Sequence, residues 1–148
     1  MKQVACVAVL LGALLLASAP ALAQAGAGAI PSGELNLGTV SIGRKVMADG
    51  KVLAAGTYEV RLTAQAAQPT AKGASEGLER WVEFRQGNTV KGREVVSIVT
   101  GDEIKGVAKM APPARGASRV EMLKGNDYLR VWINRGGVHY ILHLVPAA

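Results

Sequence analysis

The chain has one cysteine in 148 residues, Cys6, and it lies inside an N-terminal apolar run. Once that run is removed, the protein has no disulfide, no thiolate nucleophile and no cysteine-ligated metal. Aromatic residues are scarce, with one Phe, two Trp and three Tyr, so the core must rest mainly on aliphatic side chains. No sustained 3.6-residue apolar period and no repeat is present. The serines Ser32, Ser41, Ser75, Ser97 and Ser118 sit in no Gly-x-Ser-x-Gly elbow. There is no phosphate-cradling glycine loop and no EF-hand spacing. The sequence therefore carries no catalytic motif and implies no cofactor.

What is present begins with an address. Residues 1–23 read as a cleavable signal peptide. Lys2 supplies a short positive start, and residues 4–17 are apolar except for Gly12. Ser18-Ala19-Pro20 breaks the run before a small-x-small end at Ala21-Leu22-Ala23. The run falls short of the ~20 apolar residues of a membrane span, so no stable span is expected after cleavage. No cysteine follows it to accept a lipid. The expected location is the periplasm or the medium, because a disulfide-free secreted domain suits a bacterial envelope. Residues 24–33 are small and uncharged and read as a flexible leader. Residues 34–148 form one β-rich domain, large enough for a modest core.

Without Lys2, 16 Lys and Arg face 11 Asp and Glu, a net charge of +5. The basic residues are scattered, and Arg44-Lys45 is the one adjacent pair. Nucleic-acid binders gather theirs into a patch or stripe, so nucleic acid is not an expected partner. A weak attraction to anionic envelope polymers fits the charge.

Short period-two runs between Gly, Asn, Asp and Pro predict an all-β domain. The expected strands cover residues 34–42, 44–48 with 51–54, 57–64, 80–86, 93–100, 103–110, 118–124, 127–134 and 138–145. The first expectation is a single antiparallel β-sandwich of about 8–9 strands. The alternative is a small closed or nearly closed β-barrel. Asp49-Gly50 suits a type I′ turn, while Gly87-Asn88, Gly101-Asp102 and Gly125-Asn126 place Gly first, as type II′ prefers. Gly136-Gly137 fits either. Residues 65–79 and 111–117 read as loops, and three intervening strands would place them at opposite ends of a meander.

Two hairpins have registers that their turns dictate. A loop at Gly136-Gly137 sets Ile133 against Tyr140, Val131 against Leu142 and Leu129 against Leu144 on one apolar face. The other face pairs Asn134 with His139, Trp132 with Ile141 and Arg130 with His143. A loop at Gly125-Asn126 sets Met122 against Leu129 and Val120 against Val131, with Glu121 facing Arg130 and Arg119 facing Trp132. Both turns agree on the facing of the shared strand, and a one-residue slip would destroy that separation. The Gly101-Asp102 hairpin puts Val95, Val99, Ile104 and Ala108 on one face and Val96, Ile98 and Val107 on the other, as a strand buried on both sides would.

His139 and His143 invite a metal reading. On a strand they lie on one face, ~13 Å apart at ~3.3 Å per residue, too far to share an ion at ~2 Å bond lengths. No metal site is predicted. Glu121 and His143 flank Arg130 at roughly 10 Å from each other, too far for an acid–base pair. The candidate ligand-binding surface is the polar face of the last three strands: Arg119, Tyr128, Arg130, Trp132 and His143, beside Glu121, Asn134 and His139. Trp, Tyr and Arg are favoured contact residues for proteins, and an aromatic ring beside Arg and His can stack on a sugar.

The segments Ser41-Ile-Gly-Arg-Lys-Val46, Gly50-Lys-Val-Leu-Ala-Ala-Gly-Thr-Tyr-Glu-Val-Arg-Leu62 and Arg80-Trp-Val-Glu-Phe84 resemble a family of small exported bacterial proteins of unknown function. That family carries an Ile-Gly-x-Lys … Leu-x-Ala-Gly-x-Tyr motif followed by a Trp-containing strand. The likeness spans about 40 residues, and Ala54 or Ala55 stands where the family often has proline. It implies a β-sandwich and export, and no activity. The function expected is non-catalytic contact with an envelope protein or polysaccharide. The alternative is a lipocalin-like carrier, which would need an apolar cavity of several hundred Å³. A hydrolase would need a convergent polar cluster that the sequence does not display.

Overall fold

The structure is a computed structural model and describes residues 28–67 and 78–148. The expected signal peptide, residues 24–27 of the leader and residues 68–77 of the first loop lie outside the described residues. Among the described residues, nine strands form one antiparallel sheet: β1 (Leu35–Ile42), β2 (Val46–Ala48), β3 (Lys51–Leu53), β4 (Gly56–Ala66), β5 (Glu79–Gln86), β6 (Thr89–Val99), β7 (Ser118–Met122), β8 (Leu129–Arg135) and β9 (Val138–Pro146). One short helix, α1 (Ile104–Val107), interrupts them.

The strands run in the order β1-β4-β5-β6-β9-β2-β3, with β8 on the opposite edge of β9 and β7 beyond β8. β9 is where the sheet forks. Residues 139–141 of β9 pair with β6, Val145 and Pro146 pair with β2, and β8 follows the other edge. β1 packs against β7 and β8 without a ladder. The sheet therefore curls into a nearly closed barrel, the second of the two all-β arrangements expected.

Alternation drives the curl. Tyr58, Val60 and Leu62 of β4, Val82 and Phe84 of β5, Val96 and Ile98 of β6, and Leu142 and Leu144 of β9 all point inward and are buried. In β1 the inward set, Leu37, Val40 and Ile42, breaks period two. A bulge between Asn36 and Gly38 restores the phase. Gly38 adopts φ +109°, and its N–H donates to Asn36 Oδ1 at 2.8 Å. These inward side chains gather into one buried cluster inside the barrel. The hollows of about 280, 270 and 170 Å³ among the described residues open at the surface, beside α1 and on either side of β3.

The turns follow their glycines. Asp49 and Gly50 have φ 47° and 71°, and Gly136 and Gly137 have 65° and 85°, the paired positive φ of type I′. Gly125 and Asn126 are also both positive, at 95° and 60°, which departs from the expected type II′. The register survives the change: Met122 still opposes Leu129 and Val120 still opposes Val131.

The expected strand 103–110 and its Gly101-Asp102 hairpin do not form. β6 already has β5 on one edge and β9 on the other, with Ile98 opposite Tyr140, so no edge remains for a hairpin partner. The segment closes a helical turn instead, in which Ala108 N–H donates to Ile104 O at 3.1 Å. Two consequences follow. Ile104 is buried against the outer face of β8 and β9, with Val99, Trp132 and Ile141. And only β5 and β6 separate the two long loops, so β4 ends, β5 starts and segment 100–117 departs at the same end of the barrel, not at opposite ends.

Candidate functional site

The registers on the polar face of β7–β8–β9 are those the turns dictate. Arg119 opposes Trp132, which opposes Ile141; Glu121 opposes Arg130, which opposes His143; Asn134 opposes His139. The face is nevertheless not the open platform expected. Trp132 is 0% exposed, because α1 and the chain after it fold back over the sheet. Pro113 O accepts from Asn134 Nδ2 at 2.9 Å, and Asn134 exchanges backbone hydrogen bonds with Gly116 and Ala117 at 2.7 and 3.0 Å. Arg119 reaches Ala111 O at 2.9 Å. A second, small core is sealed there, with Trp132 at its centre.

The polar edge of the indole is satisfied inside that core. Trp132 Nε1–H donates to His139 Nδ1 at 3.0 Å. This fixes His139 as the tautomer with its proton on Nε2. Burial pushes the His139 pKa below its ordinary value. The guanidinium groups of Arg130 and Arg119 lie 5.1 and 5.9 Å from the Trp132 ring centroid. Arg130 in turn binds Glu121 Oε1 through Nε and Nη2, at 3.0 and 2.5 Å. The indole thus has no free face to offer a sugar.

Tyr128 and His143 remain on the surface. Tyr128 is 46% exposed, and its ring meets the imidazole of His143 edge-on at 6.1 Å. His143 is exposed, yet partial desolvation by the sheet, and then the Arg130 charge, lower its pKa. Two residues along β9, Val145 lies on the same side as His143. It opposes Met47 of β2, which opposes Val52 of β3. Val145 and Val52 are 47% and 60% exposed. The outer wall therefore carries a continuous strip, Tyr128–His143–Val145–Met47–Val52, that ends at the free edge of β3. Sequence reading found its first two members. The other three needed the β9–β2 pairing, which joins residues about a hundred positions apart.

A second cluster sits at the end of the barrel where β4 ends and β5 and β9 begin. Arg80 shares the inward face of Val82 and Phe84 and is 5% exposed. Its Nε donates to Thr63 O at 2.8 Å and its Nη2 to Gly33 O at 2.5 Å, while Nη1 binds Pro31 O. Burial lowers its pKa. Tyr140, also inward, has its phenol pKa raised by burial, against the opposing pull of Arg80 and Arg135. The Arg-x-Val-x-Phe alternation of residues 80–84 was the available signal that an arginine faces the core.

Among the described residues, no group of three or more His, Cys, Asp or Glu is gathered where a metal ion could be shared. No helix there is long and apolar enough to cross a membrane. No family model, curated protein or solved structure is similar enough to the chain to match it.

Proposed function

We propose that the chain is a non-catalytic exported β-domain that acts by contact with a partner protein of the envelope. The observation that carries this reading is the strip Tyr128–His143–Val145–Met47–Val52. Here exposed Val145 and Val52 flank half-buried Met47 across three adjacent strands, in a row beside an exposed tyrosine. Contiguous exposed apolar surface marks interaction sites, and a Tyr anchor with an aliphatic surround is the composition proteins favour. Burial of Trp132 removes the largest sugar-stacking ring, which favours protein over polysaccharide. The aliphatic cluster inside the barrel favours contact at the surface over the carrier alternative.

The test is a photo-crosslinking amino acid placed at Val145 in producing cells, with the same probe at Thr39, exposed on β1, as control. One discrete adduct at position 145, lost on Val52→Asp and absent at Thr39, is expected. No adduct at 145, or equal adducts at both positions, would contradict the reading.

A further inference from the structure

Arg80 is a cation sealed inside the barrel mouth, and its partners are unusual. All of them are backbone carbonyls: Pro31 and Gly33 from the N-terminal segment, and Thr63 from β4. Carbonyl dipoles satisfy its N–H groups but leave its net charge in place. Among the described residues the ion pairs are Arg61–Glu59, Arg85–Glu83, Arg93–Asp49 and Arg130–Glu121. Arg80 is in none of them, and neither are Arg135 or Arg115 at the same end. The Arg115 guanidinium lies against the Gly137 turn, where a Cβ on Gly137 would meet its Nη2 at 2.8 Å. Carboxylates also lie at this end, on Glu34, Glu79, Asp102 and Glu103, but among the described residues none of them pairs with the buried Arg80 fork.

Residues 28–33 cross this mouth. They leave β1 and pass Arg80. Gly28 lies against the β8–β9 hairpin, so closely that a Cβ there would stand 2.6 Å from Val138 Cγ2 and 2.7 Å from Gly136 O. They form no strand. Among the described residues, the hydrogen bonds that tie them to the barrel are those given by Arg80. One side chain therefore clasps the whole segment.

We propose that this end of the barrel is an anion site for the carboxylate or phosphate group of a small ligand, and that residues 28–33 occupy it as an intramolecular stand-in. An oxyanion would take over the donors that now serve Pro31 O and Gly33 O, in the two-pronged geometry a guanidinium favours, and would supply the missing charge. Segment and anion compete for the same N–H groups. Releasing the segment must then raise anion affinity, and anion binding must loosen the segment by the same factor.

The experiment uses the chain from Gln24 to the end and titrates it calorimetrically with pyrophosphate and, separately, with citrate. Gly28→Leu is the segment-released variant, because its side chain cannot be seated against Gly136 O. Gly28→Leu should bind at least one probe about tenfold more tightly than the wild type. Which probe binds tells phosphate from carboxylate chemistry. Arg80→Gln in the Gly28→Leu background should abolish binding. If that variant does not fold, Arg135→Gln, an exposed substitution, should weaken binding severalfold. In the wild type, saturating probe should speed amide exchange at residues 28–33. Failure of both probes to bind Gly28→Leu, or binding indifferent to the Gly28, Arg80 and Arg135 substitutions, would overturn the proposal. None of these outcomes bears on the Tyr128–Val52 strip, which lies on the outer wall.

Discussion

The indole N–H of Trp132 is hydrogen-bonded to Nδ1 of His139 at 3.0 Å, across the β8–β9 ladder. Both side chains are buried, at 0% and 4% exposure, so each polar atom depends on the other. Trp132→Phe removes the donor and leaves the imidazole nitrogen without one. The expected loss is about 1–3 kcal/mol, since an unsatisfied buried group costs its desolvation. Trp132→Ala should cost more, about 3–5 kcal/mol, because the second core loses its largest member. Urea unfolding reads both as a lower midpoint with an unchanged slope.

The same pair sets a pH dependence. His139 must keep Nδ1 unprotonated to accept from Trp132, and its folded pKa is lowered by burial. The unfolded chain therefore takes up a proton, near the ordinary histidine value of about 6.5, before the folded chain does. Stability from this source is full above that value and falls as the pH drops through it towards the folded pKa. His143, lowered by desolvation and then by Arg130, acts with the same sign. Thermal melts from pH 8 to pH 5.5 should show a falling Tm. Trp132→Phe removes the hydrogen bond, so the fall should be shallower in that variant. A Tm constant over this range would contradict the assignment.

The Gly136-Gly137 turn gives a local test. Gly137 holds φ +85°, and a Cβ there would also press on Arg115. Gly137→Ala should destabilise by about 1–2 kcal/mol, the cost of a left-handed conformation for a residue with a side chain. Gly43 has open space around its Cβ position and no positive φ. Gly43→Ala should stay within about 0.5 kcal/mol of wild type, and denaturant midpoints of the two variants compare them directly.

The C-terminal meander was legible because two turns and one alternation agreed. Gly125-Asn126 and Gly136-Gly137 each fix a register, and both place Leu129, Val131 and Ile133 on the same side. Residues 103–110 misled for a physical reason. Their apolar residues fit a strand buried on both faces, and what excluded them was β9 claiming the free edge of β6. That is a contact between residues about forty positions apart, which local pattern does not encode. The same displacement moved Ile104 over Trp132 and hid the ring that alternation had placed on an open face. Arg80 was legible in kind, since it falls on the inward phase with Val82 and Phe84. Its carbonyl partners were not, because nothing in the small, uncharged sequence of residues 28–33 marks a segment that crosses the barrel mouth.

The sealing of Trp132 is what shifts the proposed contact surface to Tyr128 and the aliphatic strip beyond it. Acrylamide quenching of Trp132 fluorescence, measured in a Trp81→Phe variant so that one indole reports, tests this most directly. Blue-shifted emission and quenching several times weaker than in the urea-unfolded chain are expected. Quenching equal to that of the unfolded chain, in a protein shown to be folded, would contradict the sealing.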